Sequence, residues 1–415
     1  MTEIDPLLAE LLIVRHELQK SARACVRELR GTPWLIYAIT TGARGDLGKL
    51  LWQPAGASQN VLSDRFSYAQ QETVELLGFE PEKFVSRETA CFMATAAFYQ
   101  GRKLAVKRGL LEDHVMGIGM TAAVTTGRER RGADQVMIAI RTHAGLWTVE
   151  VVLKKPDHFE EEAEEYRIAQ GEFADLLTLN AILATAGVRQ VPLAMDRVER
   201  SAEMRGDGML VPTRVPLAAD DGSGRPVYGR VIMPDGTLVE IASLDPKEWI
   251  LFPGSFDPIT YAHDEMARAL QRATGKKVLF QITRAHPTKI VTDEDMLRRS
   301  KQFRYRWPVV LLEDRGLYVE KAELFRRFEM LVGADVVESL FDQRYYGGYE
   351  EMMAAMDRLQ GYGTVFHVNG RICRDGRYKE LGKVSMPSVF APMFRAFSHR
   401  NDVSSSNRRA AGATV

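Results

Sequence analysis

Cysteine is scarce, with 3 residues in a chain of 415. Cys25, Cys91 and Cys373 lie far apart and form no Cys-x-x-Cys pair. That usage excludes a disulfide framework and a zinc site, and it fits a reducing cytoplasm. Net charge is missing as well, because 55 Lys and Arg balance 55 Asp and Glu. No overall field would recruit nucleic acid or an acidic membrane, so an anionic ligand must be held by local groups. No uninterrupted apolar run approaches the ~18 residues that suggest a membrane span. The opening MTEIDPLLAELLIVRHELQ is acidic with a short apolar patch, which reads as an amphipathic helix and not a signal peptide. His143, His158, His286, His367 and His399 share no metal-ligand spacing, so no metal site is expected.

What is present is ordinary for a soluble globular protein: 45% hydrophobic and 27% charged residues. The length implies two or three domains. Trp34 to Ile39 reads as a buried strand followed by the small and polar run TTGARG, where backbone can approach a ligand. Ala69 to Leu77 is a helix stopped by Gly78, and Ser86 is the N-cap of a long helix with Cys91, Ala94 and Phe98 on one face. Val115 to Met120 is a strand, and Gln135 to Thr142 with Leu146 to Leu153 forms a hairpin. A long helix then runs from about Phe159 to Gly187, its EEEAEE run a solvated face. The RERR run at Arg128 to Arg131 reads as a solvated loop.

From Val188 to Lys247 the chain turns rich in proline and glycine, with a hairpin signal in VIMPDGTLVEI. Beyond it strands and helices alternate: Trp249 to Phe252, a helix to Thr274, Lys276 to Ile282, Val309 to Leu312, Phe328 to Val332 and Thr364 to Val368. That alternation implies a parallel sheet with right-handed crossovers, whose ligands sit beyond the carboxyl ends of the strands.

Two motifs in this half carry chemistry. ILFPGSFDPITYAH, from Ile250 to His263, is an apolar strand, a tight loop and a helix start, an arrangement that favours an anion. DVSSSNRR, from Asp402 to Arg409, sets three hydroxyls ahead of two arginines, a second set of phosphate donors.

GSFDPITYAH resembles the (H/T)xGH signature of the adenylyl- and cytidylyltransferase superfamily, and VSSSNRR resembles its ISSTxxR signature. KAELF (321–325), VGADVVESLFDQRYYGG (332–348) and FHVNGR (366–371) are similar to the nicotinamide/nicotinate mononucleotide adenylyltransferase branch. The likeness spans most of residues 249 to 409. It implies attack by a mononucleotide phosphate on the α-phosphorus of ATP, with Mg2+ and ATP as cofactors. It also implies His263, Thr260 and Arg409 as catalytic groups. Gly254, Ser255, Phe256, His263, Lys289, Ser404, Ser405, Ser406 and Arg409 would surround ATP. Ala262 stands where the family has glycine.

The first half resembles the C-terminal domain of CinA, the family containing nicotinamide mononucleotide deamidase. TTGARG, PAGASQNVLSDRFSYAQQ, VSRETACFMATAAF and GIGMTAAVTTGRERRGADQVMIAIRT carry this likeness over roughly residues 8 to 187. The resemblance implies a ligand site at Thr40, Thr41, Gly42, Ser58, Tyr68 and Thr121. The deamidase run Glu-Ser-Cys-Thr-Gly-Gly is Ala38 to Ala43 here without a serine, and Thr73 replaces the family lysine. Deamidation and mere nucleotide binding both stay open.

The expected organisation is α/β with two α/β domains: CinA C-terminal-like over 1–187, a connector with a small β element over 188–247, and a Rossmann-like nucleotidyltransferase domain with a parallel sheet over 248–415. The expected function is adenylyl transfer to a pyridine mononucleotide in NAD biosynthesis. The alternatives are another acceptor such as phosphopantetheine, or a regulatory protein with degraded nucleotide sites. Pyridine mononucleotide and ATP are the expected partners, with no nucleic acid, no membrane and homo-oligomerisation left open.

Overall fold

A computed structural model describes residues 6–43, 47–127, 130–156, 159–217, 220, 222–286, 289–372, 377–397 and 399. The chain divides into two compact units, Met1–Pro216 and Leu217–Val415. Among the described residues no helix is long and apolar enough to cross a membrane.

The N-terminal unit begins with α1 (Pro6–Arg30), β1 (Leu35–Thr41), α2 (Leu47–Trp52), α3 (Ala57–Asn60), β2 (Val61–Phe66), α4 (Gln70–Leu77) and α5 (Arg87–Lys107). It continues with β3 (Val115–Ala123), β4 (Asp134–Thr142), β5 (Gly145–Leu153), α6 (Phe159–Ala186), β6 (Val198–Arg200) and β7 (Thr213–Arg214). The sheet runs β2-β1-β3-β4-β5-β6, with β7 also pairing β5. β1 is parallel to β2 and β3, and the remaining pairs are antiparallel. Residues of α1, α2 and α6 form the main core with one face of the sheet, while α4 and α5 pack with Tyr37 and Ile39 on the other. Gly117 and Gly119 let α5 lie close, since a Cβ at either would collide with α5 backbone. Ser86 caps α5 as expected, its hydroxyl accepting from Thr89 N at 3.1 Å.

The C-terminal unit contains β8 (Arg230–Ile232), β9 (Leu238–Glu240), β10 (Trp249–Pro253), α7 (Tyr261–Thr274), β11 (Lys277–Thr283), β12 (Ala285–His286), β13 (Lys289–Ile290), α8 (Asp293–Ser300) and β14 (Val309–Leu312). Then come α9 (Tyr318–Leu324), β15 (Glu329–Gly333), α10 (Ala334–Leu340), α11 (Tyr349–Gly361), β16 (Val365–Asn369), β17 (Arg371–Ile372), β18 (Tyr378–Lys379) and β19 (Phe394–Phe397). Its large sheet has the order β19-β16-β15-β10-β11-β14-β8-β9. The six strands from β19 to β14 are parallel, and β8 and β9 extend them as an antiparallel hairpin. From β10 the chain proceeds outward through β11 and β14, then returns to β15 on the other side of β10. This is the doubly wound order, and its switch point lies between β10 and β15.

The stretch 188–247, expected as a connector, is divided between the two sheets. β6 and β7 join β5, while the hairpin β8–β9 joins β14. Apolar burial explains the assignment of the hairpin, because Val231 is 0% and Ile232 3% exposed.

Candidate active site

The site follows from how β10 hands the chain to α7. Ile250 to Phe252 is buried strand. Gly254 follows, its N–H donating to Gln281 O at 3.0 Å. A side chain at Gly254 would collide with the Phe256 ring, so the backbone there stays bare. Phe256 takes a left-handed backbone with φ of 42°, unusual for a bulky residue. Its ring is locked in an aromatic cluster, 5.2 Å from Phe252 and 5.0 Å from Phe280. Thr260 then caps α7, and Gly275 closes it in the left-handed conformation.

Three side chains from α8 and the turns after it pin this loop. Gln302 donates to Phe256 O at 3.1 Å and accepts from Ile259 N at 2.8 Å. Arg298 and Arg299 grip the two oxygens of Asp257 at 2.8 and 3.1 Å, and Arg299 also reaches Ser255 O at 3.3 Å. These residues were not singled out by sequence; the signal available was a polar Arg-Arg-x-x-Gln run within one helical turn.

His263 is fixed by its own cap. Thr260 N–H donates to His263 Nδ1 at 3.0 Å, and the Thr260 hydroxyl lies 2.8 Å from the same nitrogen. The histidine thus takes the place of the acidic partner of a capping box. Because Nδ1 accepts, the proton of the neutral ring is assigned to Nε2. Below it Asp264 is 5% exposed and bound by Arg306 and by Trp307 Nε1. Burial alone would push this carboxyl up, but the Arg306 and Arg268 guanidiniums and the bonds from Arg306 and Trp307 bring it below its usual range.

The sequence-predicted residues fall as follows. Ser255 is exposed, Gly254 and His263 are half buried, and all three share the β10–α7 junction. Thr260 is 0% and Phe256 2% exposed, so both side chains are enclosed by their neighbours. Ala262 is 1% exposed, and its methyl group is packed inside the protein and not presented to an incoming anion. Lys289 lies in β13, its side chain outside the described residues, as are Ser404, Ser405, Ser406 and Arg409. Across the switch point, Gly333 opens α10, where a Cβ would collide with Asp335 Oδ1, and Arg371 lies 3.8 Å from Asp335. Lys321 of the KAELF segment is 7% exposed, its Nζ 4.8 Å from the Tyr318 ring centroid, and burial brings its ammonium down to about 8.

In the N-terminal unit five of the predicted residues, Thr40, Thr41, Gly42, Tyr68 and Thr121, gather at the carboxyl ends of β1, β2 and β3, where Thr40 pairs with Phe66 and its carbonyl accepts from Ser67 N at 2.9 Å, while Ser58 lies at the other end of β2. Thr40 (1% exposed) and Thr41 end β1 and Gly42 follows it, where a Cβ would collide with the Ala122 carbonyl. Thr121 sits opposite Thr41, but its hydroxyl donates to Phe84 O at 2.8 Å. Ser58 lies in α3, just before the start of β2, whereas Tyr68 follows the end of β2 and is 71% exposed. Leu47 N, at the start of α2, donates to Asp175 Oδ2 at 2.9 Å. Among the described residues no group of three His, Cys, Asp or Glu is arranged to hold a metal ion.

Comparison with known proteins adds the following. Solved structures similar to this chain include the competence/damage inducible protein CihA from Agrobacterium tumefaciens, with 20% identity, 39% of this chain and 95% of that chain covered, and a TM-score of 0.29. A competence or damage-inducible protein from Enterobacter asburiae has 15% identity, coverages of 40% and 96%, and a TM-score of 0.28. A CinA superfamily protein from Escherichia coli has 13% identity, coverages of 39% and 90%, and a TM-score of 0.26. No curated protein sequence matches the chain. Residues 251–411 match the cytidylyltransferase-like family, and this part of the chain, which contains the β10–α7 junction, is a cytidylyltransferase-like domain.

Proposed function

We propose that the C-terminal unit transfers an adenylyl group from ATP to the phosphate of a pyridine mononucleotide. An acceptor phosphate oxygen attacks the α-phosphorus, the bond to the β-phosphate oxygen breaks, and pyrophosphate leaves with the electron pair. Such a reaction asks little acid-base work of the protein and much positioning and charge neutralisation. The observation that carries this reading is the Thr260–His263 pair beside the bare Gly254–Ser255 backbone at the switch point. His263 would donate from Nε2 to a phosphate oxygen, and the pinned loop would keep its backbone in place without reorganising. The backbone of Gly254 and Ser255, held close over the Phe256 ring, would be offered to a triphosphate. Mg2+ would arrive with the nucleotide. Gly333 and Asp335 face the same crevice in sheet order, and an acidic side chain there suits ribose hydroxyls. The N-terminal unit binds the same mononucleotide in this reading.

The test is to incubate the full chain with Mg2+ and either ATP or CTP, offering nicotinamide mononucleotide, nicotinate mononucleotide or phosphopantetheine. Pyrophosphate and a dinucleotide from ATP with a pyridine mononucleotide are expected. Turnover with CTP alone, or with phosphopantetheine alone, overturns the proposal, as does the absence of any product.

A further inference from the structure

Helix α8 holds the β10–α7 loop tightly, yet little apolar packing holds α8 itself. Of its eight residues Met296 is the one buried apolar side chain, with Arg299 and Ser300 the other buried members. Its place therefore depends on polar ties at its two ends. At the carboxyl end Arg298 and Arg299 bind Asp257, and the side chains of Arg299 and Asp257 are only 10% and 21% exposed. Just beyond, Gln302 holds Phe256 and Ile259. At the amino end the ties meet on one oxygen. Asp293 Oδ1 accepts from the Tyr228 hydroxyl at 2.7 Å and from Arg284 Nη1 at 3.2 Å.

Both donors are anchored to the sheet. Arg284 follows β11, its N–H donating to Leu312 O at 2.8 Å, and its guanidinium also reaches Glu313 Oε1 at 2.9 Å. Tyr228 pairs with Leu311 of β14 as an isolated bridge, and Gly229 N donates to Leu311 O at 2.9 Å. Burial and the bond to Asp293 push the Tyr228 hydroxyl up to about 12, so it remains a donor across the neutral range. The side chains of Arg284 and Asp293 are 34% and 43% exposed, and an ion pair so open to water holds weakly by itself. The amino end of α8 is thus the looser one.

We infer that Asp293 is a positioning residue for the candidate active site: held by Tyr228 and Arg284, it fixes the amino end of α8 and so the loop that the other end of the helix grips. A helix supported in this way acts as a lever. Releasing Asp293 lets α8 pivot about Met296, and the Arg299 bonds to Asp257 and to Ser255 O, the latter at 3.3 Å, carry the shift to the Gly254–Ser255 backbone. Groups that position a reacting phosphate must be placed closely, so a small pivot costs turnover. The part in catalysis rests on the transfer reading, whereas the part in holding the loop does not.

Hydrogen exchange of the full chain without ligand reads the loop directly. Asp293→Ala and Tyr228→Phe should each speed exchange in peptides covering 254–260 and 297–303 by about threefold or more, with those of β15 and β16 unchanged. Glu294→Ala removes a charge from the same helical turn but no bond to Tyr228 or Arg284, and it should leave the loop at parental rates. In the transfer assay Asp293→Ala should raise KM for ATP roughly tenfold. Asp293→Asn, which keeps an acceptor for Tyr228, should recover much of that loss, whereas a merely structural role would lower the yield of folded protein and leave KM alone. Loop exchange unchanged in both Asp293→Ala and Tyr228→Phe, raised equally by Glu294→Ala, or an unchanged KM in an active Asp293→Ala variant overturns the inference. Absence of turnover in the parent would sink the transfer proposal and leave the exchange readout intact.

Discussion

The backbone N–H of Thr260 donates to Nδ1 of His263 at 3.0 Å, and this bond decides which imidazole nitrogen carries the proton. If Nε2–H stabilises charge on a leaving phosphate, His263→Ala should lower kcat by about 10²–10³. His263→Gln, which can place an amide donor nearby, should recover part of that loss. Steady-state pyrophosphate release measures both, and an alanine variant as fast as the parent would remove His263 from the chemistry.

Ala262 is packed at 1% exposure in the first turn of α7. Restoring the family glycine should therefore not raise activity. Ala262→Gly should instead destabilise the unit by roughly 0.5–1 kcal/mol through backbone entropy. Urea unfolding with parallel rate measurements checks this, and a rate gain above about threefold would show that the methyl does face substrate.

Asp264, bound by Arg306 and Trp307, is a buried charge with its partners in place. Asp264→Ala removes the buried carboxylate that Arg306 and Trp307 bind and should cost about 3–5 kcal/mol. Because its folded pKa lies below the ordinary value, its stabilising contribution is present at neutral pH and is lost as pH falls through the folded value. The parent should lose more stability than the variant on acidification below pH 4, which chemical denaturation across pH can follow.

Lys321 has the opposite sign. Its folded value of about 8 lies below the unfolded value, so the unfolded chain binds more protons between the two. Stability should therefore rise with pH across that window. At pH 7 the buried ammonium is a liability only partly offset by the Tyr318 ring. Lys321→Met should stabilise the unit at pH 7 by about 1–3 kcal/mol, with the gain shrinking above pH 8. Denaturation midpoints at pH 7 and pH 9.5 decide it.

Much of the fold was legible. The Ser86 cap, the stop at Gly187, the β4–β5 hairpin and the β10–α7 junction all follow from local pattern, and the structure has them where the residues indicate. β2 escaped because all six of its residues are half buried, leaving no alternation to detect at a sheet edge. β19 has only four residues, FRAF, too few for a period. In the stretch 188–247 proline and glycine content says that a chain turns often, and the hairpin signal marks β8–β9, but neither says which sheet receives the short strands.

By itself the sequence determined that an anion-favouring strand, loop and helix lie at Ile250–His263 and that two α/β units share the chain. Its motifs are read over about ten residues, the range of local backbone preference. Tertiary structure alone decided that Ala262 is packed inward, that Arg298, Arg299 and Gln302 hold the loop from more than 40 positions away, and that Asp175 closes the start of α2 from 128 positions away. Such partners are chosen by chain crossing and burial, which no local pattern encodes.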